Sequence, residues 1–283
     1  MHGLEERFTT HEGGTLRYLT GGSGPPMLLC HGFIGSAENF DDWLAALVQR
    51  RTVVIPDLPG FGKSSSLQGR HTATTLAHAA LAALRHARIE RFDVAGLCLG
   101  ACVALAVDRV ARDAVDRMVL HTPLLAPWLV RRRFHLQTAV MLAPGVFPGI
   151  VWLSRRRIVS DLYKRLMVEG GDVDPAAAQV NFDNQLRADQ RAAREWLHDG
   201  LRRNDLAQLC GSGRRTMVLV AADDRIVDVR RLCDALRGFD GISVALIEEG
   251  GHAWTEAMIR RQRELLAAFL DDQPIPQDVD TAA

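Results

Sequence analysis

Lysine is almost missing from this chain of 283 residues: Lys63 and Lys164 are the two that occur, and arginine fills every other basic position. Tyrosine is as scarce, at Tyr18 and Tyr163. An excess of either charge is missing too, with 34 basic and 34 acidic residues, so no global field recruits nucleic acid. The preference for arginine over lysine carries no functional weight on its own. Five cysteines (Cys30, Cys98, Cys102, Cys210 and Cys233) are odd in number and scattered, which is no disulfide framework. The opening Met1-His2-Gly3-Leu4-Glu5-Glu6-Arg7 lacks the basic-then-apolar layout of a signal peptide, so the expected location is the reducing cytoplasm. A long unbroken apolar run is also missing. The longest candidate, Leu136 to Leu153, is interrupted by Pro144, Gly145, Pro148 and Gly149, whereas a membrane span takes about 20 predominantly apolar residues. No span is expected.

Hydrophobic residues make up 47% of the chain and charged residues 24%, as in soluble globular proteins, and the length suits one large domain or a core with an inserted subdomain. Short apolar runs alternate with helical patterns, the mark of an α/β fold with a mainly parallel sheet. Strands are expected at Met27–Cys30, Val53–Pro56, Phe92–Ala95, Arg117–Leu120, Thr216–Val220 and Ser243–Ile247. Helices are expected around Ala37–Val48, Thr72–Arg88, Ala101–Val110, Val229–Leu236 and Glu256–Leu270. Between Pro123 and about Asp205 the alternation stops and helical patterns with Trp128, Trp152 and Trp196 take over. The expected organisation is a core of residues 1–122 and 206–270, a helical cap of 123–205, and a frayed tail of 271–283.

The segment that carries chemistry is Val94-Ala95-Gly96-Leu97-Cys98-Leu99-Gly100-Ala101. A nucleophile with glycine two residues before and two after, set between a strand and a helix, marks a nucleophile elbow. At such a turn the strand and helix pass too closely for Cβ atoms at the flanking positions. The turn lifts the side chain above the sheet beside the positive end of the helix, which favours a thiolate.

With these residues the chain resembles the α/β-hydrolases over nearly its whole length. His31-Gly32-Phe33 follows the first buried strand, and Asp57-Leu58-Pro59-Gly60-Phe61-Gly62-Lys63-Ser64 follows the next. After the elbow come Asp224 in Ala221-Ala222-Asp223-Asp224-Arg225-Ile226-Val227 and His252 in Gly250-Gly251-His252-Ala253-Trp254, in the family's order. The resemblance implies an α/β-hydrolase fold: a mostly parallel central sheet flanked by helices, with an inserted helical cap. The departure is Cys98, since most of the family has serine there, and a replaced serine would read the same way. Cysteine-centred members such as dienelactone hydrolases are usually smaller and uncapped, and polyhydroxyalkanoate synthases are much longer.

The resemblance also implies roles. Cys98 would attack a carbonyl carbon, His252 would take the thiol proton and later activate water or another acceptor, and Asp224 would hold the imidazole tautomer. Backbone N–H groups of Phe33 and Leu99 would form the oxyanion hole, each donor worth about 3–4 kcal/mol of barrier. The implied activity is that of an esterase, thioesterase or acyltransferase working through a covalent acyl-enzyme, with no metal or organic cofactor. Carbon–carbon bond hydrolysis, and a non-catalytic ligand-binding or sensor role, stay open on the same fold. Asp223 and Asp228 compete with Asp224 as the acid. Some family members carry the acid after the preceding strand, but there this chain reads His121-Thr122-Pro123. Cys102 reads as core packing or as half of a two-cysteine metal or redox site with Cys98. Without an aspartate at the elbow, the resemblance does not extend to haloalkane dehalogenases or epoxide hydrolases. Gly60-Phe61-Gly62-Lys63-Ser64 lacks P-loop spacing, and no metal ligands cluster in the sequence.

From Pro123 to Val168 two arginine triplets, Arg131, Arg132, Arg133 and Arg155, Arg156, Arg157, join Lys164 and Arg165 against the single acid Asp161. That segment carries +7, and the rest of the neutral chain carries −7. One reading is a solvated face with arginine stems over apolar surface. A second has the apolar run lining an acyl pocket, with the two triplets and Trp152 meeting an anionic handle: a carboxylate, the phosphates of coenzyme A, or a carrier-protein arm. A third rests the broken run on an anionic membrane, a peripheral contact. The expected partner is a small-molecule acyl substrate, free or linked to coenzyme A or a carrier protein, and the oligomeric state is not readable.

Overall fold

The computed structural model describes residues 3–167, 175–248, 250–252 and 254–275. Its chain begins with a hairpin that the apolar runs did not announce. β1 (Glu5–His11) and β2 (Gly14–Gly22) pair antiparallel from Glu5 opposite Thr20 to His11 opposite Gly14. The connecting Glu12 and Gly13 have φ of 48° and 76°, the two positive values that a tight hairpin turn of the right twist requires. β1 is mostly exposed and polar, so periodicity gave no signal for it.

The expected strands follow: β3 (Pro26–Cys30), β4 (Thr52–Pro56), β5 (Phe92–Leu97), β6 (Val115–His121), β7 (Arg215–Ala221) and β8 (Ile242–Ile247). The sheet order is β1-β2-β4-β3-β5-β6-β7-β8, parallel from β4 to β8 and antiparallel at the two leading strands. Central strands are apolar at successive positions because both faces are covered. In β3, Met27 and Leu29 enter one core layer while Leu28 and Cys30 enter the other.

α1 (Asp41–Leu47) covers one face, and α2 (Ala73–His86) and α3 (Leu99–Val110) cover the opposite face. Thr72 caps α2 by accepting from the Thr75 N–H, the preferred use of a residue that begins a helix. Between β6 and β7 lie α4 (Arg132–Leu142), α5 (Val146–Ser154), α6 (Arg157–Met167), α7 (Pro175–Arg187), α8 (Gln190–Gly200) and α9 (Leu206–Gly211). The chain leaves and rejoins the core at one place, where the Asp205 N–H donates to the Leu125 carbonyl at 2.7 Å. α10 (Val229–Leu236) adds to the layer of α2 and α3, and α11 (Glu256–Leu270) packs beside α1.

The tail expected to fray from Asp271 is tied down at its start. Asp271 pairs with Arg50 at 2.9 Å and Asp272 with Arg117 at 3.0 Å, while Ile275 packs on the core. Residues 276–283, Val168, and the side chains of Tyr163, Lys164 and Arg165 lie outside the described part. At the carboxyl edge of the sheet, Cys30 is in register with Gly96 and Leu97 with His121. The loops after β3, β5, β7 and β8 therefore open at one end, where open α/β sheets place their sites.

Candidate active site

Cys98 stands between the last residue of β5 and the first of α3, with φ 52° and ψ −115°. A non-glycine residue held there is strained, and such strain persists only where the surroundings fix it. They do: the Cys98 N–H donates to the His121 carbonyl at 2.9 Å, and the Cys98 carbonyl accepts from Ala101. A Cβ at Gly96 would strike the Gly100 carbonyl, and one at Gly100 would strike the carbonyls of Cys30 and His31. Both glycines of the elbow are thus required by backbone contact. Leu99 opens α3, so its N–H is among those a helix leaves without an internal acceptor.

The loop after β3 lies against the elbow, for a Cβ at Gly32 would sit 3.4 Å from the Cys98 Cβ. His31 beneath it is buried; its Nε2 accepts from the Leu58 N–H at 2.9 Å and its Nδ1 donates to the Gly32 carbonyl at 2.9 Å. Burial pushes the His31 imidazole below its usual value, and the accepting Nε2 requires the neutral ring. Asp57 ties three segments together by accepting from the Ala37 N–H, the Lys63 N–H and the buried Arg17 guanidinium, at 2.8 to 3.1 Å. The loop bearing Phe33 is thereby fixed from both sides.

Asp224 and His252 come from the loops after β7 and β8. Asp224 Oδ2 accepts from His252 Nδ1 at 2.8 Å, and Oδ1 accepts from the Ile226 and Val227 N–H groups at 2.7 Å each. Burial disfavours the Asp224 carboxylate, but His252 and the two backbone donors outweigh it and lower its pKa. Burial likewise disfavours the His252 cation, yet Asp224 and the adjacent Cys98 sulfur raise His252 well above the ordinary histidine value. Of the competing acids, Asp228 instead caps α10 through the Arg231 N–H. Cys102 is buried in the core and its thiol donates to the Leu124 carbonyl at 3.5 Å.

Several residues around this centre had no sequence signal because their partners lie far along the chain. His121, fully buried and pushed down to about 3 by that burial, receives a 3.0 Å hydrogen bond from Gln262 at Nε2. Gln262 Oε1 in turn accepts from Trp43 Nε1 at 2.6 Å, and the Trp43 ring stacks on Trp254 at 5.6 Å. This stack holds the segment two residues beyond His252. The cap is tied on by Asn39, which donates to Asn181 at 2.8 Å and accepts from Asn184 at 3.0 Å. Glu195 accepts from the backbone and ring of His71, both at 2.9 Å, and Asp199 accepts from the Ala73 N–H at 2.8 Å. Trp196 is buried against Phe61, ring centroids 5.3 Å apart, and beside His31 at 6.1 Å.

Arg131 Nε donates to the carbonyls of Asp224 and Val227, at 2.8 and 3.2 Å, and so braces the acid loop. Arg132, Arg133, Arg155, Arg156 and Arg157 are exposed; Arg157 pairs with Asp161 at 2.9 Å, and Arg156 lies over the exposed Trp152 ring at 5.4 Å. The run Leu136–Leu153 is split between two sides: Leu136, Val140, Trp152 and Leu153 face outward, while Met141, Leu142, Phe147 and Val151 face the core.

An elbow after β5, an acid after β7 and a histidine after β8 are features of one family, and its model, the alpha/beta hydrolase fold, matches residues 25–253. The chain belongs to that family. Among curated relatives of this α/β-hydrolase, uncharacterized proteins of Mycobacterium tuberculosis and Mycobacterium bovis are 32% identical over 114 residues, 40% of this chain and 33% of theirs. The match thus spans a third of those relatives' length. A dihydrolipoyllysine-residue acetyltransferase component of the acetoin cleaving system of Cupriavidus necator is 28% identical, over 87% of this chain and 64% of that protein. Among solved structures, an esterase of Thermogutta terrifontis superposes with a TM-score of 0.77 at 19% identity, covering 95% of this chain and 98% of that one. That likeness is one of fold.

Proposed function

We propose that this α/β-hydrolase cleaves a carboxylic ester or thioester through a covalent intermediate on Cys98, with His252 and Asp224 completing a triad. The observation that carries the reading is the strained elbow that sets Cys98 against a histidine already bound to a buried carboxylate. A strained non-glycine residue serves packing poorly and serves exposure of a nucleophile well.

The Cys98 sulfur attacks the carbonyl carbon, and its proton passes to His252 Nε2. The carbonyl π bond becomes an oxyanion held by the N–H groups of Leu99 and Phe33. As the oxyanion collapses, the bond to the leaving alcohol or thiol breaks and His252 protonates that group. A thioester remains on Cys98. Water, deprotonated by His252, then attacks it and releases the acid and the free thiol.

Acyl transfer is the second reading, favoured by one chemical argument and one observation. A thioester on Cys98 is close in energy to a thioester substrate, and the Cupriavidus necator relative is named as an acetyltransferase component. Supplying alcohols and thiols during turnover of an activated aryl ester separates the two. Hydrolysis predicts free acid whatever is added; transfer predicts a new ester or thioester at the acid's expense. Unchanged turnover by Cys98→Ala would remove both readings.

A further inference from the structure

The cap divides its apolar residues between two sides. Phe134, Met141, Leu142, Phe147 and Val151 of α4 and α5 pack on the core. Leu136 and Val140 of α4, Trp152 and Leu153 of α5, and Ile158 and Leu162 of α6 face solvent, with Ile158 83% and Leu136 70% exposed. α4 packs on α5 and α5 on α6, so these exposed side chains come from three adjoining helices. An exposed apolar patch of this kind marks a contact surface.

Its rim is basic. Arg132 and Arg133 lie one helical turn before Leu136, and Arg155 and Arg156 join α5 to α6. The segment from Pro123 to Val168 carries +7 in a chain of zero net charge. Charges are screened over about 8 Å at physiological salt, so an approaching surface meets the exposed arginines beside the patch and not the molecular total.

We propose that this face docks on an anionic lipid surface. A bilayer offers both things the patch lacks: an apolar layer for Leu136, Val140, Ile158 and Leu162, and phosphates for the arginines. Trp152, under the Arg156 guanidinium, has the amphipathic form that settles at headgroup level. A second copy of the chain fits worse, because it would set one rim of exposed arginines against another. The contact lies on the membrane and not through it. α4 and α5 meet at 102°, and no single helix among the described residues is long and apolar enough to cross a membrane. The inference does not depend on the chemistry of Cys98.

The test is co-sedimentation of the full chain with vesicles of phosphatidylcholine alone or mixed with phosphatidylglycerol, at low and high salt. Binding is expected to be about tenfold stronger on the anionic vesicles and to fall as salt is raised. The combined variant Leu136→Glu, Val140→Glu, Ile158→Glu should lose that binding, and its melting temperature should stay within about 2 °C because the positions are exposed. Arg132→Glu with Arg155→Glu should remove the preference for anionic lipid. Equal binding to both vesicle types, unchanged binding of the triple variant, or no binding at all would overturn the proposal. So would concentration-dependent self-association of the wild type that the triple variant abolishes, which would assign the patch to a second copy.

Discussion

Asp224 gives one carboxylate oxygen to its own loop and the other to His252. Oδ1 takes the Ile226 and Val227 N–H groups at 2.7 Å, and Oδ2 takes His252 Nδ1 at 2.8 Å. The loop holds the acid, and the acid holds the ring, so that Nε2 faces the elbow in one tautomer.

The first prediction concerns that pair. Asp224→Asn keeps the shape but can leave the imidazole in the wrong tautomer, so kcat should fall by about 10³–10⁴-fold. The same variant has a pH signature. His252 is raised in the folded chain, so its pairing stabilises fully below the unfolded value of about 6.5 and fades as pH rises through the higher folded value. Asp224 is lowered, so its contribution is present above the unfolded value of about 3.9 and is lost as pH falls through the lower folded one. The stability gap between wild type and Asp224→Asn, measured by denaturant unfolding, should be widest from about pH 5 to 6 and narrow on the alkaline side. A gap independent of pH would contradict the pairing.

Thiol reactivity supplies the second. Burial pushes Cys30 up to about 12 and raises Cys102, Cys210 and Cys233 as well. Cys98 is partly exposed beside His252. Limited iodoacetamide at neutral pH, read by peptide mass, should label Cys98 about tenfold or more ahead of the other four. Labelling His252→Ala should slow that reaction and leave Cys210 and Cys233 as they were.

The elbow glycines give a third. A methyl group at Gly96 or Gly100 meets backbone carbonyls and not a flexible side chain, so neither site has room to yield. Gly96→Ala and Gly100→Ala should each cost about 3 kcal/mol or more in denaturant unfolding. Gly149→Ala, with no atom within 4 Å of the added group, is the control and should be near neutral.

Strands β3 to β8 were legible because two covered faces leave uninterrupted apolar runs. β2 was not, since Arg17 interrupts Leu16 and Tyr18, and its buried guanidinium pairs with Asp57, Glu38 and Glu6. Glu12-Gly13 was the turn signal that would have exposed the hairpin. At the candidate site, paired glycines made the strained turn at Cys98 readable from spacing alone. Asp224 needed the resemblance, and its hydrogen bonds then distinguish it from Asp228, which spends its carboxylate on a helix cap. The link from Asn39 to Asn181 and Asn184, and that from His121 through Gln262 to Trp43, join residues that only the fold brings together. The three readings of the cap arginines stayed open for a related reason: a triplet states its charge but not which side of a helix meets solvent.

The covalent step is the central claim, and intact-protein mass tests it most directly. Wild type and Cys98→Ala would be exposed briefly to acyl-coenzyme A thioesters and activated aryl esters, quenched in acid and weighed. The expected result is an added mass equal to the acyl group on wild type alone. Cys98→Ala should keep its melting temperature and carry no adduct. An equal adduct on both proteins, or turnover that survives in Cys98→Ala, would contradict the account.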